Sequence, residues 1–179
     1  GGQIHCHEQV IGIHNDSYCR VDTAANTYTS KAVVSCAGLM SDRVGKMTRP
    51  DLALQIIPFR GEYYTVVKEK EYLVKSLVYP VPDPAFPFLG VHFTRTIHGG
   101  VEAGPNAVLA FKREGYRKFD FSLHDTYEAL MFPGFQKVMK KYWRKGLEEY
   151  YRSWNKLAFV KALQELVPEI TKEDLIPGG

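Results

Sequence analysis

The sequence predicts an α+β protein: an antiparallel β-sheet with helices on one face, preceded by a segment with the parts of an α/β nucleotide site. Three observations predict it. Residues 1–58 alternate short β-type runs with turns, residues 59–121 are rich in aromatics, valine, glycine and proline, and residues 122–179 carry apolar side chains at helical spacing. The 179 residues are 45% hydrophobic and 13% aromatic, enough for one core or two small ones, which excludes a disordered chain, a collagen and an acidic tail. A net charge of +3 suits an anionic ligand as well as nucleic acid. No stretch approaches the ~20 apolar residues of a membrane-spanning helix. The start, Gly1–His7, lacks the basic and apolar regions of a signal peptide. Cys6, Cys19 and Cys36 are an odd number without CxxC spacing, which argues against a disulfide scaffold. They point to a reduced, intracellular setting, cytoplasmic or peripheral on the inner face of a membrane.

Taken in order, Gly2–His7 and Gln9–His14 read as strands, with a turn at Asn15-Asp16-Ser17 and further strands at Cys19–Asp22 and Thr27–Ser30. Lys31–Cys36 reads as a short buried strand ending in Ala37-Gly38. Ser41 is placed to cap a helix over Asp42–Met47, with Asp42 in its first turn. Strand, small-residue turn and helix N-terminus are the parts of an α/β nucleotide site. Gly61–Val67 and Leu73–Tyr79 follow as strands around the charged turn Lys68–Glu71. The four prolines of Pro80–Pro87 forbid helix and central strand there. Gly90–Thr96 and Gly100–Ala103 flank a hairpin turn at His98-Gly99, and Val108–Lys112 is a further strand. Leu147, Tyr150, Tyr151, Trp154, Leu157 and Ala158 share one helical face, which Phe159–Val167 continues up to Pro168. Thr171–Asp174 reads as the cap of one last short turn.

Three blocks are unusual: Ile57-Pro58-Phe59-Arg60-Gly61-Glu62-Tyr63-Tyr64, the stretch from Tyr79-Pro80-Val81-Pro82 to Gly90-Val91-His92-Phe93-Thr94, and Gly104-Pro105-Asn106-Ala107-Val108 on to Arg113-Glu114-Gly115-Tyr116. In this order and spacing they resemble the L-2-hydroxyglutarate dehydrogenase/oxidase family of FAD-dependent, D-amino-acid-oxidase-like oxidoreductases. The resemblance runs from Gly1-Gly2 to Glu169-Ile170. It implies a remnant of an FAD-binding domain over residues 1–58, a substrate domain over 59–155 and a helical return over 156–179. The family's GxGxxG turn, which cradles the pyrophosphate, does not occur here. The chain therefore reads as an internal fragment of a longer enzyme, inactive alone and binding FAD poorly or not at all. The implied reaction oxidises a 2-hydroxy dicarboxylate to 2-oxoglutarate, with oxygen, a quinone or an electron-transfer protein as acceptor. The rivals are an amine or amino-acid oxidase of the same fold and a non-catalytic binding module.

Such chemistry needs a base for the hydroxyl proton, donors for two carboxylates and an apolar wall. His92 is the candidate base, since an imidazole with its ordinary pKa near ~6.5 suits proton transfer; the alternative is a core histidine bonded to a backbone carbonyl. Arg60 offers a bidentate guanidinium to a carboxylate, or else a structural ion pair with Glu62. Alternation allows only one of Tyr63 and Tyr64 to point inward, and Tyr64 is the candidate. Tyr79, held extended before Pro80, is a second aromatic candidate. Asn106 is an amide donor or simply a turn residue. Lys112-Arg113-Glu114 reads as an exposed, self-neutralising turn. By resemblance, Val10 lends its backbone to the adenine and Cys36, Ala37 and Gly38 pass close to the dinucleotide. His5-Cys6-His7 lacks the ligands of a metal site. The basic run Lys137–Lys145 reads as a solvated helix face rather than a nucleic-acid surface.

Overall fold

The computed structural model describes residues 1–82, 84 and 90–178, so the expectation for Pro80–Pro87 falls partly outside the described residues. The chain forms two compact units, Gly1–Ile57 and Pro58–Gly179. The first holds an antiparallel three-stranded sheet of β1 (Val10–Asn15), β2 (Cys19–Thr23) and β3 (Thr27–Ser30) in sequence order. The second turn of this meander closes on Thr23, whose hydroxyl oxygen accepts from the amides of Ala25 and Asn26 at 3.3 and 2.9 Å. Glu8 pins the preceding segment to the sheet, its carboxylate accepting from Tyr28, Thr23 and Asn26 at 2.9–3.0 Å.

Two expected strands of this unit do not form. Gly2–His7 is irregular, and His7 takes φ 61° just before the Glu8 anchor. Lys31–Cys36 is neither strand nor buried, with Val34 85% exposed. A buried parallel strand takes its hydrogen bonds from neighbours on its edges and its burial from elements on its faces. Among the described residues none supplies them here. A 3₁₀ turn at Gly38–Met40 leads into α1 (Ser41–Thr48). Ser41 is inside this helix, not its cap, and its hydroxyl donates back to the Gly38 carbonyl at 2.8 Å. The buried Asp42 does sit in the first turn; its carboxylate accepts from the amides of Arg43 and Ile56 at 2.9 and 3.0 Å, tying the helix to the chain beyond it.

The second unit is a four-stranded antiparallel sheet with order β5-β6-β4-β7: β4 (Phe59–Val66), β5 (His92–Arg95), β6 (Val101–Leu109) and β7 (Leu175–Pro177). The charged turn stands as a 3₁₀ turn over Lys68–Leu73, but the expected strand Leu73–Tyr79 does not form beyond a single bridge, Val78 to Phe93. The two strands expected at Gly100–Ala103 and Val108–Lys112 are one strand, β6, carrying a bulge where Gly104 and Pro105 together oppose Tyr63 of β4. Gly104 has φ 149°, and a Cβ there would lie 2.8 Å from the Glu62 carbonyl oxygen, so the close approach of the two strands requires glycine.

Three helices gather on one face of the sheet: α2 (Leu123–Met131), α3 (Pro133–Trp154) and α4 (Lys156–Gln164). Ser122 caps α2 by accepting from the Asp125 amide, and Pro133 opens α3 at a position where its missing N–H is not needed. The continuous helical face expected from Leu147 to Ala158 is broken at Asn155. Its side-chain oxygen accepts from the amides of Leu157 and Ala158 at 3.1 and 3.3 Å and starts α4 afresh. Leu147, Tyr151, Trp154 and Leu157 are more than half exposed, while Phe159, Val160 and Leu163 are buried. These three, with Val66, Phe93, Val101, Ala103, Ile170 and Leu175, form the core. Thr171–Asp174 does not cap a helix. Asp174 accepts from the Thr171 amide and hydroxyl at 2.8 Å each, and the chain turns into β7. Arg113 is not on an exposed turn either; it is buried beside the carboxylates of Asp125 and Glu128, both on α2. No helix among the described residues is long and apolar enough to cross a membrane.

Candidate active site

His92 opens β5 directly opposite Gly104. It is 9% exposed, and its Nδ1 lies 3.0 Å from the Gly90 carbonyl oxygen. A carbonyl can only accept, so Nδ1 donates, and in the neutral ring the lone pair is left on Nε2. The backbone bridge between Val78 and Phe93 sets Tyr79 alongside, where its ring stacks on the imidazole at 4.1 Å between centroids and 19° between planes. The Tyr79 hydroxyl is 3.5 Å from Thr94 Oγ1. An imidazole fixed in one tautomer and held against an aromatic face can take a proton at Nε2 while the stack keeps its orientation.

Arg60 and Tyr64 line a different feature, a cleft of about 390 Å³ whose wall also includes Glu62, Tyr63, Tyr116, Lys118 and Gly178 and which neither His92 nor Tyr79 lines. Arg60 is paired: it donates to Glu62 at 2.9 Å and to the Arg117 carbonyl at 2.9 Å. Tyr64 packs its ring on Phe159, with Lys156 Nζ 5.5 Å from the ring centroid. Tyr63, on the other side of the strand, sits against Gly104. Burial, with Glu102 and Tyr79 nearby, pushes its hydroxyl above the usual phenol range. Tyr63 thus touches the residue paired with His92 and also lines the cleft. Alternation had set it aside, and only the bulge, carried by the Gly104-Pro105 pair, could have signalled its place.

Asn106 is 1% exposed and bound to α3: its amide donates to the Glu149 carbonyl at 2.8 Å, and its oxygen accepts from Arg152 Nε at 3.1 Å. Burial holds the Glu149 carboxyl above the usual carboxylate range although Arg152 pairs with it. In this structure Asn106 fastens helix to sheet and is not a turn residue.

Val10, Cys36, Ala37 and Gly38 lie in the first unit. Val10 starts β1 opposite Thr23, and Cys36 is exposed. Gly38 has φ 52° and nothing within 4 Å of where a Cβ would stand. A small-residue bend with open space beside its backbone, directly before a helix, fits the close passage of a dinucleotide.

A family profile described as FAD dependent oxidoreductase matches residues 1–163. The chain is 53% identical over 181 residues to L-2-hydroxyglutarate dehydrogenase of Indibacter alkaliphilus, covering 100% of this chain and 45% of that protein. It is 44% identical over 179 residues to the Escherichia coli protein of the same name, covering 99% and 42%. Against the mitochondrial L-2-hydroxyglutarate dehydrogenase of Nematostella vectensis it is 48% identical over 152 residues, covering 85% and 33%. The chain thus spans less than half the length of these relatives. With the profile running over most of the sequence, the chain belongs to the family of FAD dependent oxidoreductases.

Proposed function

We propose that this chain provides the substrate side of an FAD-dependent oxidation of L-2-hydroxyglutarate to 2-oxoglutarate. The supporting observation is the His92 arrangement: Nδ1 held by the Gly90 carbonyl, the ring stacked on Tyr79, and Nε2 left as the proton acceptor. His92 Nε2 takes the proton of the substrate hydroxyl as the carbinol C–H bond breaks, so that a carbonyl forms. Tyr79 keeps the imidazole in plane and shields it from water. FAD, when bound, supplies the acceptor for the hydride leaving the carbinol carbon. Val10 and the Cys36–Gly38 bend are the residues of this chain that would meet it; Arg60 and Tyr64 line the separate cleft on the helix-bearing side of β4, and Asn106 fixes α3 to β6. The relatives, each named as an L-2-hydroxyglutarate dehydrogenase, support the choice of substrate.

The test is His92→Gln in the holoenzyme. The expected result is a kcat for L-2-hydroxyglutarate lowered roughly 10²–10⁴-fold. A kcat within a factor of about two of the parent would overturn the assignment of the base. Faster turnover of an amino acid than of the hydroxy acid would overturn the substrate.

A further inference from the structure

We propose that Tyr63 is a substrate contact: its phenol donates a hydrogen bond to a carboxylate of the hydroxy acid that His92 deprotonates, on the face of the four-stranded sheet that turns away from the helices. This rests on the reading of the substrate given above and gives the anion-binding role on this face to Tyr63 rather than to Tyr64.

Register decides which residues share that face. His92 pairs with Gly104 and Thr94 with Glu102 across β5 and β6, while Thr65 of β4 pairs with Glu102 from the other side. Residues paired directly point the same way, and their neighbours along each strand point the opposite way. Phe93, Ala103 and Val66 accordingly enter the core, and Tyr64 packs on Phe159 of α4. His92, Thr94, Glu102 and Gly104 lie on the other side. Tyr63 joins them through the bulge, where Gly104 and Pro105 together oppose it.

Two glycines seat the Tyr63 ring. A Cβ on Gly104 would lie 2.8 Å from Tyr63 Cδ1, and a Cβ on Gly61 would lie 3.0 Å from Cε2 and 3.7 Å from Cζ. The ring thus reaches from Gly104 of β6 to Gly61 of its own strand, over backbone that only residues without a side chain leave clear. Gly104 also leaves the place between Tyr63 and His92 without a side chain. The row across the sheet therefore runs Tyr63, a gap, His92 and then Tyr79, stacked on the imidazole. Tyr63 is 36% exposed, so the gap is open to a small acid.

The chemistry of this row assigns the roles. The carbinol carbon carries a carboxylate, so a substrate whose hydroxyl meets His92 Nε2 brings an anion beside it that needs a donor. Nε2 accepts, and Glu102 is acidic and repels a carboxylate, also from Thr65 opposite it. The hydroxyls of Tyr79 and Thr94 lie 3.5 Å from one another. The Tyr63 hydroxyl makes no hydrogen bond among the described residues. Burial, with Glu102 and Tyr79 nearby, disfavours its phenolate and keeps it a donor. A hydrogen bond from it to a carboxylate is charge-assisted, the stronger kind.

The experiment is Tyr63→Phe in the holoenzyme, which keeps the ring on its seat and removes only the oxygen. Glutarate, a dicarboxylate that cannot be oxidised at a carbinol carbon, is expected to bind roughly tenfold more weakly by calorimetry. KM for L-2-hydroxyglutarate is expected to rise by a similar factor with kcat held within about threefold. The melting temperature and the His92 imidazole NMR signal are expected to stay as in the parent, since no internal hydrogen bond is lost. Unchanged glutarate affinity overturns the contact. So does a loss of affinity accompanied by an altered His92 signal, because the tyrosine would then act through the imidazole. A loss in Tyr64→Phe that Tyr63→Phe lacks overturns it as well. If Tyr63→Phe binds glutarate like the parent while His92→Gln abolishes turnover, the contact fails and the catalytic reading stands. If Tyr63→Phe weakens glutarate while His92→Gln keeps its kcat, the contact stands and the assignment of the base fails.

Discussion

Gly104 carries more of the second unit's geometry than its size suggests. Its φ of 149° and the 2.8 Å approach of a would-be Cβ to the Glu62 carbonyl mean that any side chain must move β4 or β6. Gly104→Ala is expected to destabilise by about 2–3 kcal/mol or more, from strain and the lost strand pairing together, as read by chemical denaturation. Because His92 is paired with Gly104, the variant should also weaken the Tyr79 stack, visible as a changed imidazole NMR signal. Asn155 acts differently, through two hydrogen bonds from the start of α4. Asn155→Ala is expected to lower stability by about 1 kcal/mol in the same measurement, with no effect on β4–β6 chemistry.

Among the elements, the β1–β3 meander depends on an acid. The Tyr28 hydroxyl, followed by Thr23 and Asn26 and with His5 nearby, holds the Glu8 carboxyl below its usual value of 4.5 despite some desolvation. A lowered folded-state pKa adds stability above the unfolded value, and that stability is lost as pH falls through the folded value. Glu8→Gln should therefore melt earlier than the parent at pH 7, and the two melting curves should converge as pH drops below about 4.

The elements also show what the sequence made legible. β1, β2, β3 and β4 stand close to where alternation and turn residues place them, because each pairs with a neighbour nearby in the chain or carries its own apolar face. Lys31–Cys36 was misplaced because an apolar run reports a wish for burial, and burial needs partners that the run cannot specify. Leu73–Tyr79 does not extend into a strand because only Val78 finds a partner, Phe93 of β5, in a single bridge. The blocks single out His92 and Tyr79, which the structure stacks on each other, whereas nothing in the sequence pairs Lys118 with its contacts. Its partners Glu62 and Ser153 lie 56 and 35 residues away, and no local pattern records such contacts.

In the molecule as a whole, the second unit has one core that gathers residues of α4 and of all four strands. Phe159 is 1% exposed there and packs on Tyr64 at 4.9 Å. Phe159→Ala is expected to cost about 3–5 kcal/mol and to raise amide exchange throughout β4, β5 and β6, since no smaller region contains the cavity it would leave. The inward residues of β6 are Val101 and Ala103 before the bulge, but Asn106, Val108 and Ala110 after it, the last just past the strand's end. Odd numbers give way to even ones at Pro105. Removing a single residue there would give an unbroken two-residue rhythm with Asn106 and Val108 still inward, but would leave one residue, not two, facing Tyr63. A one-codon deletion at this point should therefore spare the α3 anchor through Asn106 and act on the opposite side of the sheet, where Tyr63 and His92 take their places from the doubled step.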